Sequence, residues 1–309
     1  MDPSIKPSTA ASLRKYIDDA TVGDNPTLPG VIMHVIDSQS NTLFSHTSRP
    51  HTLETTFQIH SVTKIIATIA FMQLVERGIV SLDDASIVEK VLPELASKKV
   101  VTGSTEKEGK KLWTFEERKT PITPRMLMNH TNGTGCSFFN VETLELLGED
   151  RDKSHEGNEF WDAIRRVPLL WQPGTKTNYG QGLDWLGVLV ERLTNRAFGD
   201  VLREGIFEKM GIKNTGYGGQ FYGDMATSED EDYWPTSFRT EGGLVPMEAN
   251  VQEKRTSEDT WPKGKNNNKH VHTASFGLVS CVADLVRIAS ILLPQNAGVV
   301  SAFSTSPLA

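Results

Sequence analysis

The chain has 309 residues, 38% hydrophobic and 23% charged, with a net charge of −7. That is ordinary for a globular protein of one large domain or two smaller ones. It argues against a nucleic-acid surface, which needs a basic patch. No apolar run approaches a membrane span, the first twenty residues hold no apolar signal core, and two cysteines build no disulfide framework or metal site. A cytoplasmic protein without a metal or cofactor is the expectation.

Residues 9–20 read as an amphipathic helix. Pro29-Gly30 punctuates, and VIMHVID and TLFSHTS read as two strands joined by DSQSN, a hairpin that starts an antiparallel sheet. TTFQIH leads into a helix that Gly78 closes. A further turn and helix follow, with Pro93 near the helix end. The polar stretch 101–119 reads as an exposed loop. Thr123-Pro124 opens a helix with proline at its first position. Residues 156–170 suggest a short helix, Trp171–Thr175 a turn, and 182–195 and 198–210 two helices ending at Asn195 and Gly211. Residues 217–275 are long, polar and irregular; their acidic run reads as a solvated face. A last helix spans about 282–293. Cys281 sits in an apolar stretch and reads as a core residue.

Ser-x-x-Lys occurs three times, at Ser12/Lys15, Ser61/Lys64 and Ser104/Lys107. The first lies in a charged surface helix and the third in a solvated run, so neither points to chemistry. After Ser61 and Lys64, the run from Ile65 to Val75 is free of charge, and a helix apolar on every side is a core helix. Such surroundings disfavour the ammonium form of a lysine. A neutral amine one turn from a serine hydroxyl can take its proton and make it a nucleophile. The plainer reading is Ser61 as an N-cap with Lys64 reaching out to water. A second acid/base group is needed for a leaving group. Tyr179, in the glycine-flanked loop TKTNYGQG, is the candidate; its plainer reading is a packed ring with a bonded hydroxyl.

The stretches HSVTKIIATIAFMQLVERGIVSLDD, TPRMLMNHTNG, PGTKTNYGQGLDWLGVLVERLT, GIFEKMGIKNT and SFGLVSCVADLVRIASILL lie in register from about residue 28 to about 293. Together they resemble serine hydrolases of the class C β-lactamase and penicillin-binding type, and within them fungal transesterases of the lovastatin acyltransferase kind. The resemblance implies Ser61 as the acylated nucleophile, Lys64 as its base and Tyr179 as the second acid/base, with Gly180, Gln181 and Trp185 in substrate binding. The tyrosine motif departs from the family's Tyr-x-Asn: it reads Tyr179-Gly180-Gln181, followed by the Leu183-Asp184-Trp185 of the acyltransferase subgroup.

Two functions follow as expectations. One is acyl transfer from a thioester, an ester or an acyl-carrier protein to a hydroxyl on a small molecule of secondary metabolism. The other is ester or β-lactam hydrolysis by the same residues. No Lys-Thr-Gly or His-Thr-Gly follows, and His272-Thr273-Ala274 precedes the wrong element. The resemblance therefore implies a fold whose C-terminal strands are absent, with a donor to the oxyanion lost and the hairpin of residues 31–47 left with a bare edge. A truncated, inactive family member is the third expectation. The fold class expected is α+β, β-lactamase/transpeptidase-like: an antiparallel sheet flanked by helices plus a mostly helical region. The chain reads as a single unit, 1–309, made of an N-terminal helix, hairpin and nucleophile helix (1–80), a helical and loop region (81–270) and a return segment (271–309).

Overall fold

The computed structural model describes residues 5–23, 26–37, 39–136, 139–148, 164–217, 233–234, 237–240, 243–246 and 273–293. Two compact units emerge, each assembled from separated pieces of chain. One comprises Met1–His60, Arg203–Asp259 and Gly277–Ser306, the other Ser61–Leu202, Thr260–Phe276 and Pro307–Ala309.

The first unit carries the sheet. Helix α1 (Pro7–Thr21) starts with proline in its first turn, where the missing N–H is no loss. Strands β1 (Ile32–Ile36) and β2 (Thr42–Thr47) form the expected antiparallel hairpin. β3 (Thr56–Gln58), the two-residue β6 (Gly216–Tyr217) and β9 (Leu278–Cys281) make a three-stranded antiparallel sheet in the order β3-β9-β6. A small hairpin, β7 (Ser237–Thr240) with β8 (Gly243–Pro246), lies within the long polar stretch. The last helix among the described residues, α9 (Val282–Ser290), packs against β1. Cys281 is fully buried, as its apolar neighbours suggest.

The second unit is built on helix packing. Helix α2 (Thr63–Glu76) follows a 3₁₀ turn at His60–Val62. It packs against α7 (Gly182–Thr194) and α8 (Phe198–Leu202). Ile66, Phe71, Leu74, Trp185, Leu186 and Phe198 are almost wholly buried there; each such side chain contributes roughly 1.5–3 kcal/mol relative to exposure. α3 (Ala85–Val91), capped by the Asp84 carboxylate, is followed by the single turn α4 (Pro93–Ala96). Pro93 thus opens a new turn rather than standing near the end of one helix. α5 (Pro124–Met128) starts where expected, with the Thr123 hydroxyl accepting from the Met126 N–H. α6 (Val141–Leu147) precedes the stretch holding the expected helix at 156–170, most of which lies outside the described residues.

The stretch 101–119 differs from its reading as a loop. β4 (Val100–Lys107) and β5 (Lys110–Glu116) pair antiparallel around Glu108-Gly109. Both turn residues have positive φ, 54° and 71°, as a two-residue hairpin turn requires. Polar side chains on both faces hide the alternation by which a half-buried strand is read. Among the described residues no helix is long and apolar enough to cross a membrane, and no group of three or more metal-ligating side chains gathers.

The second unit also encloses charge. Lys98 is 8% exposed and donates to the carbonyls of Ile164, Arg165 and Val167, and burial pushes its pKa down to about 7. The partly exposed Glu191 accepts from the Phe198 N–H at 2.8 Å, and burial of its carboxyl pushes the pKa up to about 7. Between about pH 4.5 and 7 the folded state therefore keeps a proton that the unfolded chain has lost, so Glu191 makes stability fall as pH rises. Glu191→Gln keeps the acceptor and removes that slope. In urea unfolding from pH 4.5 to 8 the variant is expected to gain on the parent by about 1–2 kcal/mol, with the gain complete above pH 7. A pH-independent difference refutes the burial of an ionisable carboxyl there.

Candidate active site

Ser61 stands in the 3₁₀ turn immediately before α2, with its side chain exposed. His60 before it has φ +43°, a left-handed conformation that turns the chain into the helix. Lys64 follows in the first turn, so Nζ reaches back to Ser61 Oγ at 3.2 Å. The Tyr179 hydroxyl lies 2.7 Å from the same Oγ. Residues 118 apart in sequence thus meet on one oxygen.

The other two Ser-x-x-Lys pairs do nothing comparable. Lys15 is exposed and pairs with Asp19 at 2.7 Å. Ser104 and Lys107 lie on β4, where a spacing of three puts side chains on opposite faces.

The amine is not wrapped in apolar side chains as the sequence suggests. Val62 and Ile65, its neighbours at the helix start, are 42% and 47% exposed. Lys64 is half-buried among polar groups instead. Nζ donates to the Ser275 carbonyl at 2.6 Å and lies 4.7 Å from the centroid of the Tyr179 ring. The early turns of α2 are apolar because their other faces are core, and the face that carries Lys64 is left open.

Tyr179 is held from both sides in the chain. The Asn178 N–H donates to the His130 carbonyl at 2.9 Å, and the Gly180 N–H donates to His130 Nδ1 at 3.4 Å. The imidazole stacks on the phenol ring at 4.6 Å between centroids. Accepting at Nδ1 places the imidazole proton on Nε2. Burial, and the charge of Lys64 after it, lower the His130 pKa and favour that neutral ring. Phe139, 67% exposed, meets Tyr179 in a T-shaped contact at 5.6 Å between centroids.

The glycines of this loop are required by close approach. A Cβ on Gly180 falls 2.3 Å from the Thr134 carbonyl oxygen, and one on Gly182 falls 2.3 Å from that of Leu127. Backbone cannot yield as a flexible side chain can. The chain thereby passes from Tyr179 into α7 pressed against α5 and the segment that follows it.

Behind the lysine lies a carboxyl. Asp184, in the first turn of α7, is 2% exposed. Its Oδ1 accepts from the Ser275 hydroxyl at 2.6 Å and from the Ser275 N–H at 3.2 Å. Burial pushes its pKa up to about 6, against the opposing pull of Ser275 and of Lys64.

Ser61, Lys64 and Tyr179 are therefore brought together, and the other three sequence candidates are not. Trp185 has no exposed surface; its ring is core, 5.6 Å from the Lys98 ammonium. Gly180 and Gln181 are buried in the loop entering α7. Asp184, Ser275, His130 and Phe139 received no role from sequence. Asp184 alone had a signal: an acid among nine consecutive residues, 182–190, that all turn out buried.

Set beside known proteins, the chain matches the family model described as Beta-lactamase over residues 19–306. Lovastatin esterase of Penicillium rubens is 32% identical over 217 residues, covering 67% of this chain and 52% of that protein. Monacolin J acid methylbutanoyltransferase of Aspergillus terreus is 34% identical over 164 residues, 53% of this chain and 38% of that protein. Among solved structures, simvastatin synthase of Aspergillus terreus superposes with a TM-score of 0.74 at 22% identity, over 97% of this chain and 72% of that one. EstCE1, a hydrolase with promiscuous acyltransferase activity, gives 0.64 at 18% identity, over 92% and 72%. The architecture is that of the β-lactamase/transpeptidase fold, mixed helix and sheet. The chain spans about half or less of the length of these curated relatives.

Gly180→Ala tests the close approach that positions the phenol. It is expected to cost about 1–3 kcal/mol in urea unfolding and to lower the reactivity of Ser61 toward an activated ester. An unchanged midpoint with unchanged reactivity means the loop has room that the contact to Thr134 denies.

Proposed function

Since the chain belongs to the β-lactamase family, we propose that it is a serine acyltransferase whose acyl-enzyme forms on Ser61. The observation that carries this reading is the meeting of Lys64 Nζ and the Tyr179 hydroxyl on Ser61 Oγ. An exposed serine oxygen touched by two groups able to move protons is the arrangement of an activated nucleophile. Lys64 accepts the Ser61 proton as Oγ attacks the acyl carbon. Tyr179 hands a proton to the departing thiol or alcohol. The Ser61 N–H stands at the positive end of α2, where negative charge on the carbonyl oxygen is favoured.

The donor in this reading is an acyl thioester or ester, on a small carrier or an acyl-carrier protein. The acceptor is a hydroxyl of a small molecule of secondary metabolism. Acyl transfer to a small molecule is supported by the relatives, whose names describe a methylbutanoyltransferase and an esterase; the donor class follows from the family resemblance of the sequence. The esterase relative also supports a second reading, in which water takes the acyl group from Ser61. The two differ in how the site treats water after acylation.

Incubation with a p-nitrophenyl ester, followed by intact mass, tests the shared step. A single acyl adduct that maps to Ser61 is expected, as is its loss in Ser61→Ala and Lys64→Ala, with Lys107→Ala behaving as the parent. Equal effects of the two lysine changes, or no adduct on folded protein, refute the assignment. Added alcohols divert product from free acid to new ester if transfer is the function; product that stays free acid at every alcohol concentration selects the hydrolase.

A further inference from the structure

Building on the reading of Ser61 as nucleophile and Lys64 as its base, we propose that Asp184 is a positioning residue for that reaction: its buried carboxylate orders Ser275, and the Ser275 carbonyl aims the Lys64 amine at Ser61.

Ser275 belongs to a short segment, 273–276, that has no regular secondary structure to hold it. Its place is set from one side by a single atom. Asp184 Oδ1 takes both the hydroxyl and the N–H of Ser275. A residue bonded through its side chain and its backbone to one rigid acceptor has little freedom left in its own peptide groups. Its carbonyl oxygen, 6% exposed residue though it is, then accepts from Lys64 Nζ at 2.6 Å, the shortest contact the amine makes to a protein oxygen here. With one N–H spent on that carbonyl, the nitrogen turns another valence toward Ser61 Oγ. The link spans 211 residues between Lys64 and Ser275 and 91 between Ser275 and Asp184.

Packing alone does not call for a carboxyl at this position. The residues around it on α7, Leu183, Trp185 and Leu186, are core side chains at 1% exposure or less, and leucine fills such a place without desolvating a charge. The carboxylate is tolerated by its two bonds from Ser275, by its position in the first turn of the helix and by the field of Lys64 on α2, the charged group that acts on it. The other titratable groups of α7, Glu191 and Arg192, stand two turns further on. His130, on the far side of the Tyr179 ring, also feels Lys64.

Three variants separate aim, charge and simple packing, with the second-order rate of acylation by a p-nitrophenyl ester followed from pH 5 to 9. Asp184→Leu keeps the volume and removes both acceptors; a loss of about 10²-fold is expected, the cost of misplacing a catalytic group. Asp184→Asn keeps an acceptor for Ser275 and removes the charge. It restores most of the rate and removes the part of the acid limb that follows protonation of the Asp184 carboxyl, which burial pushes up to about 6. Ser275→Ala loses one of the two bonds, and about a tenfold drop is expected. An unchanged rate in Ser275→Ala together with an unmoved acid limb in Asp184→Asn overturns the proposal, whether or not Asp184→Leu folds, and leaves the Ser61 assignment intact. No adduct on the parent protein overturns the Ser61 assignment itself, and the role of Asp184 with it.

Discussion

The contact on which the site depends is the 2.6 Å hydrogen bond from Lys64 Nζ to the Ser275 carbonyl. It fixes an amine that otherwise swings on a four-carbon stem. Ser61 and Lys64 need only one turn of chain to be near each other, but nearness is not aim. A residue from the far end of the chain supplies the aim, and a buried acid on a third element holds that residue still. Three segments far apart in sequence thus share one local hydrogen-bond system within a single unit of the structure.

Tyr179 receives the same treatment by different means. No regular element holds it; the loop is gripped at Asn178 and Gly180 by His130, and the ring is stacked on an imidazole and meets a phenyl group in a T-shaped contact. The glycine after it lets backbone meet backbone at a distance that any other residue forbids. A phenol set so tightly loses little on binding a substrate, because its ordering is complete beforehand. Burial first, and Lys64 after it, favour the neutral state of His130.

Burial of charge in the second unit is divided by purpose. Lys98 is enclosed and Glu191 largely so, and each is matched to backbone partners, the carbonyls of Ile164, Arg165 and Val167 and the Phe198 N–H. Asp184 is enclosed too, yet its partner leads to the Lys64 amine. Lys64 itself remains half-buried, next to two exposed apolar side chains and an exposed serine. In the reaction proposed above the amine exchanges protons with a hydroxyl and needs access, which full enclosure of the kind given to Lys98 would deny.

Much of this protein was legible in its residues. Spacing and charge separated Ser61/Lys64 from the other two such pairs, turn chemistry placed the first hairpin and the starts and ends of most helices, and the register of five stretches pointed to the β-lactamase fold. The first two are local properties, written in spacing, periodicity and residues with special backbone preferences; the third is a resemblance to a known family. The hairpin at 100–116 is hidden because polar strands carry no hydrophobic alternation, and the burial of Trp185 is hidden because a motif gives neighbours in sequence, not the face of a helix. Only the tertiary structure decided what surrounds the lysine. It replaced an apolar sheath with a carbonyl, an aromatic face and a buried acid, because the environment of a side chain is set by residues that packing brings from hundreds of positions away.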